Sequence, residues 1–271
     1  MIDRIIQSIV VKKSFLCVGL DPDLNLIPQH LLDSVDPVFE FNKSIIDVTR
    51  DLCVAYKPNL AFYEKLGPSG LISLKKTIDY IGDEHFVIAD AKRSDIFNSA
   101  KMYADTFYDY FNVDAVTISP YMGFDAVKPF LRKDKYGILL LVTSNPTGSD
   151  IQNIITKSGH PLYIDLVKHF LEKCSEKNTM FVLGATRLNE MRQVREIASN
   201  HFFLIPGVGA QGGSLKKVCE NGFGSDCRLL INSSRAIIYA GSGINFKDDV
   251  RIASMNLQKE MMMILKDFHF I

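Results

Sequence analysis

Phe86-Val-Ile-Ala-Asp90-Ala-Lys92-Arg-Ser-Asp95-Ile96 joins a short apolar run to an alternation of charge and then to a helix start. Phe86 to Ala89 is too short for a helix and carries β-branched residues, so it reads as a buried strand. Polar chemistry follows at once, where a strand would leave the sheet. The same pattern recurs along the chain, and that recurrence decides the fold.

Eight apolar runs share it: Phe15 to Leu20, Cys53 to Tyr56, Phe86 to Ala89, Ala115 to Ser119, Gly137 to Thr143, Met180 to Gly184, Phe202 to Pro206 and Cys227 to Asn232. Helical periodicity separates them. Phe41, Ile45, Val48 and Leu52 follow the start signal Asp36-Pro37; Ala100, Tyr103, Phe107 and Phe111 follow Ser94; and a long final helix covers about Phe246 to Phe268. Continuous apolar strands alternating with helices indicate a parallel sheet covered on its outer face. Eight such units predict one closed (β/α)8 TIM barrel over residues 1–271, since no linker or low-complexity segment divides the chain. The competing fold is a doubly wound open sheet. It calls for a glycine-rich turn after the first strand, where this chain has Gly19-Leu-Asp-Pro-Asp with one glycine.

Lysine and arginine number 31 and so do aspartate and glutamate, giving zero net charge. A nucleic-acid partner normally demands a basic surplus, so none is expected. No run approaches the ~18 to 20 uncharged apolar residues of a membrane span. The start Met1-Ile-Asp-Arg lacks the pattern of a secretory signal, and Cys17, Cys53, Cys174, Cys219 and Cys227 lack C-x-x-C spacing. A cytoplasmic protein with reduced cysteines is the expectation.

A barrel of this kind works at the C-terminal ends of its strands. Those ends carry Asp21, then Lys57 and Asn59, then Asp90 and Lys92, then Ser119, and then Thr143, Ser144 and Asn145. Asp90 and Lys92 lie two apart and are expected to point to one side, with Lys57 approaching from the neighbouring strand. Ionised groups sharing one mouth perturb each other, which marks a working site. Asp95 suits either a catalytic role or a place near a positive helix end, whereas Lys65 and Lys101 read as solvated. Gly207, Gly209, Gly212 and Gly213, with Ser233-Ser234-Arg235 in the adjacent loop, form the pattern of a barrel phosphate site. Gln211 and Ser144 supply neutral donors and acceptors suited to an amide-like ring edge. The six histidines are scattered away from these ends, and no dinucleotide or P-loop fingerprint occurs, so no metal or cofactor is expected.

Asp90-Ala-Lys92-Arg-Ser-Asp95-Ile96 resembles the D-x-K-x-x-D-I signature of the orotidine 5'-phosphate decarboxylase family. Val18-Gly-Leu-Asp21-Pro-Asp, Tyr56-Lys57-Pro-Asn59, Pro120-Tyr-Met-Gly-Phe-Asp, Thr143-Ser144-Asn-Pro, Pro206-Gly-Val-Gly-Ala-Gln211-Gly-Gly and Asn232-Ser-Ser-Arg235 are similar, in order, to the family's second, mainly bacterial and protozoan, subgroup. The resemblance implies a decarboxylation without metal or cofactor that yields uridine monophosphate, the last step of pyrimidine nucleotide synthesis. It implies a charged tetrad of Lys57, Asp90, Lys92 and Asp95, the last supplied with Ile96 and Ser99 by the other subunit of a homodimer. By the same resemblance Asp21 and Lys57 hold ribose hydroxyls with Asn59 nearby. Ser144 and Gln211 meet the pyrimidine, and Gln211, Arg235 and the adjoining Ser234 serve the phosphate end. Lys92 is expected to stabilise a ring carbanion and protonate it. The chain departs from the family pattern at Phe97, often glycine, and at Ser99, commonly threonine.

Two other functions fit a phosphate-binding barrel. A Schiff-base aldolase would use Lys57 or Lys92 as a nucleophile, although flanking carboxylates keep a lysine protonated. A non-catalytic sugar-phosphate binding module would use the same loops without any need for the lysine-carboxylate alternation.

Overall fold

The computed structural model describes residues 2–208 and 213–271. Its strands are β1 (Leu16–Leu20), β2 (Ala55–Pro58), β3 (Phe86–Arg93), β4 (Ala115–Ile118), β5 (Tyr136–Val142), β6 (Thr179–Leu183), β7 (Phe203–Pro206) and β8 (Leu229–Ser233). Each pairs in parallel with the next, and β8 returns to β1 through Leu16↔Ile231, Cys17↔Asn232 and Val18↔Ser233. The sheet is therefore a closed barrel, and the open-sheet alternative is overturned.

The strands are buried almost throughout, because helices cover the outside and side chains fill the inside. Helix Pro37–Thr49 shows how the sequence fixes a covering element. The Asp36 carboxylate accepts from Phe39 N at 3.1 Å, proline occupies the first turn, and Phe41, Ile45 and Ile46 are buried against the barrel. The final helix, Phe246–Asp267, buries Phe246, Val250, Met261, Ile264 and Leu265. Full burial of one such side chain is worth about 1.5–3 kcal/mol relative to exposure.

Seven strands fall within two residues of their expected ends, and the shifts of β2 and β3 fall where the site is built. β2 lies two residues later than Cys53 to Tyr56, because Lys57 continues the strand into the mouth rather than ending it. β3 runs on past Ala89 to Arg93, but not as a regular strand. Ala89 pairs with Val116 and Arg93 with Ile118, so the intervening Asp90, Ala91 and Lys92 face Thr117 alone across a β-bulge. Lys92 sits in the left-handed region with φ +46°. The following helix begins at Phe97, later than the Ser94 start expected, and spans Phe97–Asp105.

Candidate active site

Asp90 is the hub of the mouth. Its Oδ2 accepts from Lys57 Nζ at 2.9 Å, and its Oδ1 lies 2.6 Å from Lys92 Nζ and accepts from Thr117 Oγ1 at 2.9 Å. The alternation expected from the strand ends is present, though simple strand alternation does not create it. Asp90 is buried while Lys92 is half exposed, and the bulge turns the lysine back to meet the carboxylate.

The two buried members hold each other ionised. Burial alone pushes the Asp90 carboxyl up, but the ammonium groups of Lys57 and Lys92 outweigh it and hold it well below the usual carboxylate range. Burial likewise lowers the Lys57 amine, and the charges of Asp90 and Asp21 override that and raise it above the ordinary lysine value. Lys57 therefore has no free lone pair at neutral pH.

The other half of the mouth comes from the meeting of β1 with β8. A cavity of about 220 Å³ is lined by Asp21, Lys57, Asn59, Asp90, Ser234 and Arg235, together with Gly207, Asn232 and their neighbours. Asn59 accepts from Ala61 N at 3.3 Å, capping the short helix Leu60–Glu64. Tyr239 ties the loop after β1, donating to Asp21 O at 2.9 Å and accepting from Asp23 N at 2.6 Å. Among the described residues Asp21 Oδ1 and Asn232 Oδ1 are buried without a partner, so the cavity offers two acceptors to a donor such as a hydroxyl.

Several expected site residues lie apart from this cavity. Ser144, after β5, does not line it; it packs beside Gly184, where a Cβ would lie 2.8 Å from Ser144 N. Asp95 accepts from Ile96 N at 2.7 Å, and among the described residues no ion pair joins it to Lys92. Ile96 and Phe97 are exposed and Ser99 is half-buried on the following helix. Gln211, with Gly209 and Gly212, lies outside the described residues. Lys65 and Lys101 are exposed, as expected, and pair with Asp23 and Asp105.

Thr117 and Asn232 were missed as site residues. Thr117 had a signal: it is the polar interruption in Ala115-Val-Thr-Ile, one residue before the strand's end. Arg93 also escaped notice. It pairs with Glu64 and lies over the Tyr103 and Phe107 rings at 5.4 and 5.6 Å, anchoring the bulge from outside. Among the described residues no three His, Cys, Asp or Glu side chains converge as metal ligands.

A closed parallel barrel with ionised residues gathered at the C-terminal strand ends is the architecture of the (β/α)8-barrel enzymes. Residues 14–244 match the model of the orotidine 5'-phosphate decarboxylase / HUMPS family. The chain is 48% identical over 264 residues to the orotidine 5'-phosphate decarboxylase of Bacteroides fragilis, covering 96% of each protein. With that of Parabacteroides distasonis it shares 49% over 268 residues, covering 97% of this chain and 96% of the other. Among solved structures, Leishmania donovani OMP decarboxylase superposes with a TM-score of 0.83 at 33% identity, over 97% of this chain and 98% of that one. Leishmania donovani UMP synthase gives 0.85 at 34%, over 97% of this chain, which spans 56% of that longer protein. The chain belongs to the orotidine 5'-phosphate decarboxylase family and is an enzyme, a carboxy-lyase of pyrimidine nucleotide biosynthesis.

Proposed function

We propose that residues 1–271 act as one barrel domain that decarboxylates orotidine 5'-phosphate to uridine 5'-phosphate through a charge-stabilised ring carbanion protonated by Lys92. The observation that carries this mechanism is the Asp90 carboxylate held between two ammonium groups, one buried and one half exposed. Breaking the bond between C6 and the carboxylate releases CO2 and leaves an electron pair on C6 with almost no resonance relief. A fixed positive charge beside that carbon stabilises it more than mobile water does. The Lys92 ammonium supplies the charge and then its proton, which balances the reaction.

Asp90 fixes the Lys92 ammonium and sets negative charge near the departing carboxylate, while Lys57 keeps Asp90 ionised. The unpartnered Asp21 oxygen and Lys57 suit ribose hydroxyls, with Asn59 beside them. Arg235, Ser234 and the amide of Gly207 suit the phosphate, where binding energy orients the ring far from the reacting carbon. Ser144 and Gln211 are assigned to the pyrimidine, from the loops after β5 and β7. No metal or cofactor has a step in this scheme.

The tetrad is completed in a homodimer, with Asp95, Ile96 and Ser99 contributed by a second copy of the chain. The exposed Ile96, Phe97 and Tyr121 beside the mouth supply an apolar face for that contact. The enzyme is assigned to the cytoplasm; no helix is long and apolar enough to cross a membrane among the described residues.

Consumption of orotidine 5'-phosphate, followed by ultraviolet absorbance with and without a chelator, tests the reaction. Turnover insensitive to chelator and abolished by Lys92→Ala is expected. Absence of turnover at micromolar enzyme, or borohydride trapping of a substrate adduct on lysine, would overturn the assignment.

A further inference from the structure

Thr117 lies on β4, is almost wholly buried and does not line the cavity beside Asp90. Its hydroxyl accepts from the backbone N–H of Lys92 at 3.0 Å and donates to Asp90 Oδ1 at 2.9 Å. That same oxygen lies 2.6 Å from Lys92 Nζ. The bonds close a ring: from the Lys92 amide to the Thr117 hydroxyl, on to the Asp90 carboxylate, and back to the ammonium of the same lysine.

Two features explain why the ring is needed. The β3 bulge removes Lys92 from the regular ladder with β4, where Ala89 and Arg93 keep their partners, so its N–H needs another acceptor. Lys92 also adopts φ +46°, a conformation that a residue with a Cβ holds only when its surroundings impose it. One hydroxyl meets both demands. As acceptor it fixes the lysine backbone, and as donor it fixes the carboxylate rotamer.

We propose that Thr117 is a positioning residue for the decarboxylation, setting the main chain and the ammonium of Lys92 together against Asp90. The proposal rests on the functional reading given above, in which Lys92 is the proton donor. Thr117 touches no substrate. Its contribution is to the placement of the reacting ammonium, so its loss falls on the chemical step and leaves substrate affinity nearly intact.

The test compares Thr117→Val, which keeps the shape and removes the hydroxyl, with Thr117→Ser, which keeps the hydroxyl, each measured for kcat, KM and thermal melting against wild type. Thr117→Val is expected to lower kcat about 100-fold, as misplacement of a reacting group does, with KM within about threefold of wild type. Thr117→Ser should regain most of kcat. A Thr117→Val enzyme with wild-type kcat, a rise in KM with kcat unchanged, or equal losses in the valine and serine variants would each overturn the proposal. If Thr117→Val does not fold, Thr117→Ala carries the same comparison with Thr117→Ser. Wild-type protein without turnover would instead refute the functional reading, so the two failures are distinct.

Discussion

Gly19 and Ser234 stand so close across the junction of β1 with β8 that a Cβ on the glycine would lie 1.8 Å from the serine Oγ and 3.2 Å from Asn232 Oδ1. Only a residue without a side chain leaves the serine and the following Arg235 where they line the cavity. Gly19→Ala should overpack the junction at a cost of about 1–3 kcal/mol and displace both residues. The expected result is a KM for orotidine 5'-phosphate raised about tenfold or more, with a smaller change in kcat. Steady-state kinetics and a thermal melt separate the two effects.

Replacing Lys57 by Met leaves Asp90 buried with Lys92 as its remaining cation. Breaking a buried pair in this way should destabilise the fold by about 3–5 kcal/mol, read as a lower urea midpoint. The lowered Asp90 value contributes stability that is present above the ordinary carboxylate range and disappears only as pH falls through the lowered value. The raised Lys57 value contributes stability that is present below the ordinary lysine range and disappears as pH rises through the raised value. The destabilisation by Lys57→Met should therefore be nearly constant between about pH 5 and pH 9.

His85 and His201 give stability a different dependence on acid. Burial lowers each imidazole to about 4, and among the described residues neither ring nitrogen of His201 has a partner. Below about pH 6.5 the unfolded chain takes up protons that the folded chain refuses, so stability falls as pH drops towards the lowered values and then levels off. Each ring contributes on the order of 3 kcal/mol to that fall. His201→Phe, which also preserves the contact with the Phe181 ring, should flatten the drop in melting temperature between about pH 6.5 and pH 4.

Inactive Lys92→Ala and Asp95→Ala proteins should regain activity when refolded together. In the proposed two-fold dimer each mixed pair would hold one site carrying both lesions and one site free of them, so random assortment returns about one quarter of wild-type turnover. No recovery would show that Asp95 acts within its own chain or has no part in the site.

The barrel was legible because parallel strands buried on both faces cannot hide their apolar runs, and because six of the eight runs end in polar residues. Asp21, Lys57, Asn59, Asp90, Ser234 and Arg235 emerged from those ends and share one cavity. The sequence signal failed where a polar group is satisfied by a distant partner. The approach of Lys57 to Asp90 was expected from neighbouring strand ends, but the bulge at Asp90 to Lys92 depends on Thr117, which lies on another strand. Periodicity likewise could not show that Ser144 packs beside Gly184, away from the cavity.

The seam between β1 and β8 gives the active site a schedule as well as a shape. Lys57, Asp90 and Lys92 lie in the first 92 residues, whereas Ser234 and Arg235 arrive only with the strand that closes the ring. A ribosome-bound chain lacking β8 already carries its lysines and carboxylates but has no cavity to hold a nucleotide. Substrate affinity should thus appear all at once, when the two ends of the barrel meet, and a conformation-selective nucleotide would serve as a reporter of that last closure.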